Sequence, residues 1–319
     1  MSRLVVSANR RFLTYDDGSP FFYLGDTAWE LFHRTTREEA DLYLRNRASK
    51  GFTAIQAVVL AEIGGIDLPN AYGNLPLIDK DPARPNDGYF QHVDHIVRRA
   101  AELGLFIAML PTWGKYVQPN AWDAEQIIFD PGKAHAFGAF LGERYANSPI
   151  IWMLGGDRQA TGVEEVWRAM AAGIKAGGST QLLTYHPYGL HSSAEWLHNE
   201  PWLDFNALQS GHDRRANENY RMIAHDYALT PVKPCLDAEA RYENHPVNWQ
   251  PGNGYFDDLD VRQAAYWALF AGACGHTYGC NDIWQYWTPQ RQPVAGAHTD
   301  WHVALDLPAI PYNSTALMA

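Results

Sequence analysis

Eight short apolar runs alternate with helix-like segments along nearly the whole chain, and this rhythm restricts the fold more than any other feature. Strand-like runs occur at residues 21–25, 54–61, 105–111, 150–154, 181–185, 205–209, 232–236 and 276–278. Helix-like segments occur at residues 36–50, 88–103, 133–145, 163–175, 193–198, 217–227 and 261–273. Strands that alternate with helices indicate parallel βαβ units. Eight of them favour an α/β fold of the closed (β/α)8 TIM barrel type over a doubly wound open sheet.

Local signals at the helix ends agree with this interpretation. Thr36 and Glu39 have the spacing of a capping box, and Asp260 with Gln263 predicts a cap for the helix at 261–273. After Trp301 the sequence is short and holds two prolines, so we expect a last helix that is short or incomplete. No linker or low-complexity segment interrupts the pattern, and residues 1–319 are predicted to form a single domain.

Charge and hydropathy argue against several classes of protein. The formal net charge is −11 and no basic stripe is present, so neither nucleic acid nor an anionic membrane is an expected partner. No apolar run approaches the roughly 18 residues of a membrane span. An N-terminus without an apolar region predicts a cytoplasmic protein, with secretion as the alternative if a signal has been removed. No GxGxxG or GxxxxGK loop follows the first strand, and no cofactor is expected.

The residues that follow the eight predicted strands are rich in polar and aromatic side chains. All strand carboxyl ends of a parallel barrel open on one face, and that face carries the active site. The opposite ends, such as Phe52, Pro149 and Pro231, lack such groups. The polar and aromatic set comprises Asp26, Trp29, Glu62, Trp113, Lys115, Asp157, Arg158, His186, Gln209, His212, Glu239, Asn281, Asp282 and Trp284. This asymmetry predicts a site at one end of the barrel.

Two carboxylates in this set each end an apolar run that finishes in small residues. Asp157 ends the run IIWMLGGD, and Glu239 ends the run LDAE. Two carboxylic acids at the same end of one barrel are the minimum set of catalytic groups for hydrolysing a glycosidic bond. The competing interpretations are a helix cap or an ion pair with Arg158 for Asp157, and an ion pair with Arg241 for Glu239. Asp237 is a rival to Glu239, because strand alternation places both on the same side.

Six segments together resemble the apiosidase-like glycoside hydrolases. They are GDTAW (25–29), WMLGGD (152–157), TYHP (184–187), FNALQSGH (205–212), LDAEARYE (236–243) and YGCNDIW (278–284). Those enzymes are (β/α)8 barrels related to the clan of glycosidases that includes cellulases and mannanases. The resemblance implies that Asp157 is the general acid/base and Glu239 the nucleophile. The clan more often has Asn-Glu after the fourth strand, where this chain and the apiosidase-like group have Gly-Asp.

The resemblance also implies a retaining mechanism, with the two carboxyl groups about 5–5.5 Å apart. Proteins that resemble this chain usually continue into a longer final helix and often a small β-sandwich. Because this sequence differs from them there, homo-oligomerisation is a further expectation. The candidates for substrate binding are Asp26, Trp29, Trp113, His186, Gln209, His212, Tyr278 and Trp284. The tryptophans can stack on a sugar ring, although core packing is the competing explanation for each. Lys115 and Glu62 rank lower, and no residue is predicted to bind a metal.

The expected function is retaining hydrolysis of plant cell-wall carbohydrate, and apiosidase activity follows from the resemblance alone. An endo-β-1,4-glucanase or a mannanase is the main alternative within the same clan. A non-catalytic carbohydrate-binding barrel and a metal-dependent hydrolase rank lower. The second of these needs clustered ligands such as HxH after the first strand, where this chain has GDTAW.

Overall fold

Eight parallel strands form the centre of the computed structural model, which describes residues 3–119, 127–291 and 296–307. They are β1 (Tyr23–Thr27), β2 (Ala54–Leu60), β3 (Phe106–Thr112), β4 (Ile150–Gly155), β5 (Leu183–His186), β6 (Asn206–Gln209), β7 (Cys235–Glu239) and β8 (Gly275–Tyr278). Each overlaps a strand predicted from the sequence, and this confirms the (β/α)8 barrel.

The strands follow one another around the ring in chain order. β8, β1, β2, β3, β4 and β5 form one continuous parallel sheet, and β6 pairs with β7 in a second. Backbone N–H groups form hydrogen bonds across both seams. Asp204 donates to the Leu183 carbonyl at 2.9 Å between β5 and β6, and Cys274 donates to the Cys235 carbonyl at 2.8 Å between β7 and β8.

Helices connect the strands on the outside of the ring. The α-helices in the described ranges are Leu31–Arg34, Arg37–Ser49, Asp87–Glu102, Pro131–Arg144, Glu164–Ala176, Ala194–Leu197, Asn219–Tyr227, Asp258–Phe270, Asn281–Trp284 and Trp301–Ala304. Short 3-10 turns lie at Ile78–Lys80, Gly114–Tyr116, Val247–Trp249 and Pro251–Asn253. No helix in this part of the chain is both long enough and apolar enough to span a membrane.

One of the two predicted helix caps is present in the structure, and the other lies at a different residue. The box at Thr36 is confirmed, since Glu39 N–H donates to Thr36 Oγ1 at 3.2 Å and Thr36 N–H donates to Glu39 Oε2 at 2.8 Å. The cap predicted from Asp260 and Gln263 was wrong. Asp257 is the N-cap residue, because its carboxylate accepts from the Asp260 N–H while Asp260 accepts from the Asp257 N–H in return. The helix therefore begins three residues earlier, at Asp258.

The described chain after β8 contains only two four-residue helices, Asn281–Trp284 and Trp301–Ala304. The expectation of a short or incomplete last helix concerns the sequence after Trp301, of which residues 308–319 lie outside the described part of the chain. Trp301 is fully buried and its ring lies 5.1 Å from that of Tyr286, so aromatic packing rather than helix length holds this segment against the barrel.

A small antiparallel sheet that the sequence pattern did not reveal covers the amino end of the barrel. It consists of Leu4–Val6, Leu13–Tyr15 and Pro20–Phe21, which are too short to show alternation. Rings of Phe21 and Tyr15 lie 5.3 and 6.3 Å from the ring of Phe106 at the start of β3. With the amino end covered, the site lies at the carboxyl end.

Candidate active site

The turn after β4 is built from three consecutive residues with left-handed backbone. The φ angles are 89° at Gly155, 113° at Gly156 and 52° at Asp157. A Cβ added to Gly156 would lie 2.8 Å from the ring of Trp113, so only glycine permits this close approach. The turn places Asp157 on the wall of a cavity at the barrel mouth. Glycine at position 156 is therefore a geometric requirement of the site.

Glu239 is the last residue of β7 and lines the same cavity. A bulge precedes it, because Leu208 of β6 pairs with Asp237 whereas Gln209 pairs with Glu239 and leaves Ala238 unmatched. The extra residue breaks the alternation of side chains along the strand. The prediction that Asp237 and Glu239 share one side was therefore wrong.

Asp237 belongs to the wall of the barrel rather than to the cavity. Its carboxylate accepts hydrogen bonds from Ser210 Oγ at 2.7 Å and from Asn219 Nδ2 at 2.9 Å. Asn219 begins the helix that packs outside β6 and β7. Asp237 is fully buried and does not line the cavity, so it is not a competitor for the role of Glu239.

Two histidines contact the Glu239 carboxylate. His212 Nε2 lies 2.8 Å from Glu239 Oε1 and donates a hydrogen bond. His186 Nε2 lies 3.2 Å from Oε2, without the alignment of a hydrogen bond. Burial by itself would raise the pKa of Glu239, but the two imidazoles outweigh it and hold the pKa well below its usual range. Glu239 is therefore an ionised carboxylate at neutral pH.

The surroundings of Asp157 shift its pKa in the opposite direction to that of Glu239. Protein atoms surround its carboxyl group, although part of the side chain remains open at the cavity mouth. Burial and then the negative charge of Glu239 raise the pKa of Asp157 to about 6, against the influence of His186, His212 and Arg158. Within the described chain, Asp157 Oδ1 has no hydrogen-bond partner. One oxygen of Asp157 lies within 4.8 Å of one oxygen of Glu239.

The cavity has a volume of about 100 Å³ and combines acids with aromatic rings. Its described lining is Trp29, Glu62, Trp113, Asp157, Gln209, His212, Glu239, Tyr242, His245, Trp249 and Trp284. The structure thus brings together both proposed acids and five of the residues predicted to bind substrate. His186 is fully buried beneath them, with its ring 5.2 Å from Trp29 and 6.0 Å from Trp113.

Two residues predicted to bind substrate lie elsewhere. Asp26 is fully buried and faces the helix Arg37–Ser49. Its carboxylate accepts hydrogen bonds from Tyr43 Oη at 2.6 Å and from Arg47 Nε at 2.5 Å. Tyr278 Oη donates to Glu243 Oε2 at 2.6 Å, away from the cavity lining. The prediction that Asp26 and Tyr278 bind substrate was therefore wrong. The two side chains have partners within the protein and do not face the site.

Three residues of the cavity wall were not predicted from the sequence, and a fourth was ranked too low. Tyr242, His245 and Trp249 follow β7, and the ring of His245 stacks on that of His212 at 4.5 Å and 29°. Tyr242 Oη accepts a hydrogen bond from Trp29 Nε1 at 3.1 Å. Three aromatic side chains within ten residues of Glu239 were a usable signal. Glu62, which ranked low after β2, also lines the cavity.

The acids also form a potential metal site. Among the described residues, donor atoms of Asp157, His186 and Glu239 all lie within 4.8 Å of one another. Imidazole and carboxylate are donors that suit zinc and other divalent transition metals. The three residues that would hold such an ion are the two carboxylates of the pair and one of the two histidines beside Glu239.

Comparisons with known proteins agree on one kind of enzyme. A solved structure described as a glycoside hydrolase shares 36% sequence identity, with a TM-score of 0.90, over 97% of this chain and 72% of its own. A glycoside hydrolase family 5 protein from Bacteroides vulgatus shares 37% identity, with a TM-score of 0.88, over 97% of this chain and 70% of its own.

More distant structures share the fold. A glycoside hydrolase family 5 mannosidase from Rhizomucor miehei has 13% identity and a TM-score of 0.63, over 87% of this chain and 86% of its own. A comparison with curated proteins gave no match. The family described as apiosidase-like, catalytic domain, matches residues 7–315. The protein is a glycosidase, and the chain belongs to the apiosidase-like family of catalytic domains.

Proposed function

We propose that this protein is a retaining glycoside hydrolase that cleaves plant cell-wall glycosides by double displacement. The observation that carries the proposal is the pair Asp157 and Glu239, whose nearest oxygens lie within 4.8 Å and whose pKa values are shifted in opposite directions. Retaining enzymes hold their two carboxyl groups about 5–5.5 Å apart, whereas inverting enzymes need roughly 6.5–9.5 Å to admit a water.

In the first step Glu239 attacks the anomeric carbon while Asp157 protonates the oxygen of the leaving group. The carbon–oxygen glycosidic bond breaks, and a bond between the sugar and Glu239 forms. The hydrogen bond from His212 orients the Glu239 carboxylate and keeps it ionised at the start. The two opposite shifts support the proposal that Asp157 is the proton donor and Glu239 the nucleophile.

In the second step the roles of Asp157 reverse. The negative charge of Glu239 disappears when the glycosyl-enzyme forms, and that charge is one of the two main causes of the raised pKa of Asp157. The pKa of Asp157 therefore falls, and the residue can accept a proton from water. The water attacks the anomeric carbon, the bond to Glu239 breaks, and the sugar leaves with its original configuration.

The size of the cavity favours a small terminal sugar. A volume of about 100 Å³, as bounded by the described residues, is well below that of clefts for extended ligands. The family name connects this fold to apiosides, and we propose release of a terminal apiose from a cell-wall oligosaccharide. An endo-β-1,4-glucanase or mannanase is the alternative, and an endo-1,4-β-D-mannanase from Thermotoga petrophila shares the fold. Imported small oligosaccharides would suit the cytoplasmic location that we propose.

A panel of substrates tests this proposal. It contains apiose-bearing pectic oligosaccharides, manno-oligosaccharides, cello-oligosaccharides and the corresponding polymers, with products identified by chromatography. Proton NMR during the first minutes shows the configuration of the released sugar. We expect one small neutral sugar, released with retained configuration. Initial release of the opposite anomer would contradict the retaining mechanism, and internal cleavage of a polymer would favour the alternative.

A metal-dependent hydrolase is the second candidate, because Asp157, His186 and Glu239 form a possible donor set. Prolonged dialysis against EDTA separates the two. Retaining hydrolysis by two carboxylates is expected to survive it within about twofold. Loss of activity that zinc restores would favour the metal enzyme.

A further inference from the structure

A third carboxyl group in the cavity has no role in the two-acid mechanism. Glu62 follows β2 by two residues and lines the cavity together with Asp157 and Glu239. The backbone around it is held on both sides. Tyr116 Oη donates to the Ala61 carbonyl at 3.1 Å, and the Ile63 N–H donates to Glu30 Oε1 at 2.9 Å. Glu62 is therefore fixed at the wall of the site.

The carboxyl group of Glu62 has no hydrogen-bond partner within the described chain, unlike that of its neighbour Glu30. Glu30 accepts from Ile63 through Oε1, and its Oε2 lies 2.9 Å from His33 Nδ1. Half-buried polar groups normally find a partner in the protein or in solvent. An unpartnered carboxyl on the wall of a sugar-sized cavity is available to a ligand.

We propose that Glu62 is a further substrate-binding residue, which donates a hydrogen bond from its neutral carboxyl group to a hydroxyl of an uncharged sugar held between Asp157 and Glu239. This inference rests on the proposed function, because it places the same sugar in the same cavity. It deepens that function by naming the residue through which the cavity would select a neutral sugar over a uronic one.

The charges that face Glu62 support the neutral form. Asp157, Glu30 and Glu239 approach from three other segments of the barrel mouth, and Lys115 is the cation that opposes them. Burial first and then these carboxylates raise the pKa of Glu62 to about 8, despite Lys115. A neutral carboxylic acid offers one O–H donor, which an ionised carboxylate lacks. A uronic sugar would add a further negative charge beside Glu239.

The sign of the pH effect follows from this arrangement. Above pH 8 the Glu62 carboxyl loses its proton, so it loses the donor and adds a charge to the cavity. Binding of a neutral sugar therefore weakens as the pH rises through about 8. By linkage, a bound neutral sugar raises the pKa of Glu62 further, because it binds the protonated form.

The kinetic test measures KM and kcat of the wild-type enzyme, Glu62→Gln and Glu62→Ala between pH 6 and pH 9.5. The substrate is the neutral glycoside that the wild-type enzyme hydrolyses fastest in the panel. Glu62→Gln keeps a neutral donor, so we expect a near-normal KM that no longer rises above pH 8. Glu62→Ala removes the donor, and we expect KM to rise about tenfold at pH 6.5 with a smaller change in kcat. Glu102→Gln, at an exposed helix end, is the matched control.

A second measurement does not depend on turnover. Carbon-13 NMR of glutamate-labelled protein, assigned with Glu62→Gln, follows the Glu62 carboxyl during titration with and without D-apiose, D-glucose or D-glucuronate. Ionisation near pH 8 that a neutral sugar moves upward supports the inference. Ionisation below pH 6, or an unchanged KM in Glu62→Ala, overturns it. If the panel shows no hydrolysis, the proposed function fails, whereas the NMR titration still decides the state of Glu62.

Discussion

Two buried acidic centres lie at the carboxyl ends of the barrel strands, and they differ in how completely the protein satisfies them. In the first, both oxygens of Asp26 accept hydrogen bonds, from Thr27, Tyr43 and Arg47. In the second, Asp157 Oδ1 and Glu239 Oε2 have no aligned partner in the described chain. Both centres lie at the carboxyl ends of apolar strands, yet only the second lines the cavity at the barrel mouth.

The hydrogen-bond partners of a buried acid help to separate structural from functional acids. An unsatisfied buried polar atom costs about 1–3 kcal/mol, so folded proteins rarely keep one without a use. The second centre combines two unfavourable features, since it has unpartnered carboxylate oxygens and Asp157 also has left-handed backbone. The first centre has a single unpartnered atom among those described, Arg47 Nη2. We therefore expect changes at Asp26 to affect stability, and changes at Asp157 and Glu239 to affect turnover.

The largest effect is expected for Glu239→Gln. The amide keeps the shape of the side chain but cannot act as a nucleophile, so kcat should fall by at least about 10³-fold. The free energy of unfolding should change by about 1 kcal/mol or less, because the cavity already tolerates unpaired groups. Steady-state kinetics and urea unfolding measure the two quantities. Near-normal turnover on a good aryl glycoside would remove Glu239 from the mechanism.

Asp157→Asn is expected to reduce kcat/KM by about 10²- to 10⁴-fold on poor leaving groups. The loss should be much smaller on a dinitrophenyl glycoside, whose leaving group needs no proton. In the wild-type enzyme, kcat/KM should fall as the pH rises through about 6, because Asp157 loses its proton there. That alkaline limb should be absent from the variant. An unchanged limb would assign the acid to another group, since coupled carboxyls titrate as a pair.

Asp26→Asn tests the other side of the comparison. It leaves the fully buried Arg47 without its counter-charge, and breaking such a pair costs about 3–5 kcal/mol. Urea unfolding should show this loss, while turnover per folded molecule stays within about twofold. The double variant Asp26→Asn/Arg47→Met should recover part of the stability. Normal stability combined with lost turnover would place Asp26 in the site after all.

The sequence predicted the barrel and both acids because those features depend on local patterns. Apolar runs mark the strands, and Glu239 ends one of them while Asp157 lies two residues after another. It did not separate Asp26 from Asp157, because the difference depends on partners such as Tyr43 and Arg47 that come together only in the fold. The bulge at Ala238 was equally hidden, since a one-residue mismatch between strands leaves no signature in either strand alone.

The smallest effect is expected at Trp249, on the rim of the functional centre. Its side chain is 52% exposed and lines the cavity, and its ring meets those of His212 and His245 edge-on at 5.7 and 5.5 Å. The backbone is left-handed at both Asn248 and Trp249, with φ of 57° and 55°. This conformation is uncommon for a bulky residue, and the hydrogen bond from Asn248 N–H to the His212 carbonyl, 2.8 Å long, holds it.

Trp249 offers an exposed aromatic face at the cavity rim, and we expect the leaving group to stack on it. We expect Trp249→Ala to raise KM about tenfold on an oligosaccharide, because a stacking face for a second sugar is lost. On a methyl glycoside of the same sugar, KM and kcat should both stay near their wild-type values. Phe270→Ala is the matched control, since Phe270 is 86% exposed and does not line the cavity. An equal loss of kcat on both substrates would show instead that Trp249 acts through His212 on the nucleophile, and the rim would then belong to the catalytic centre itself.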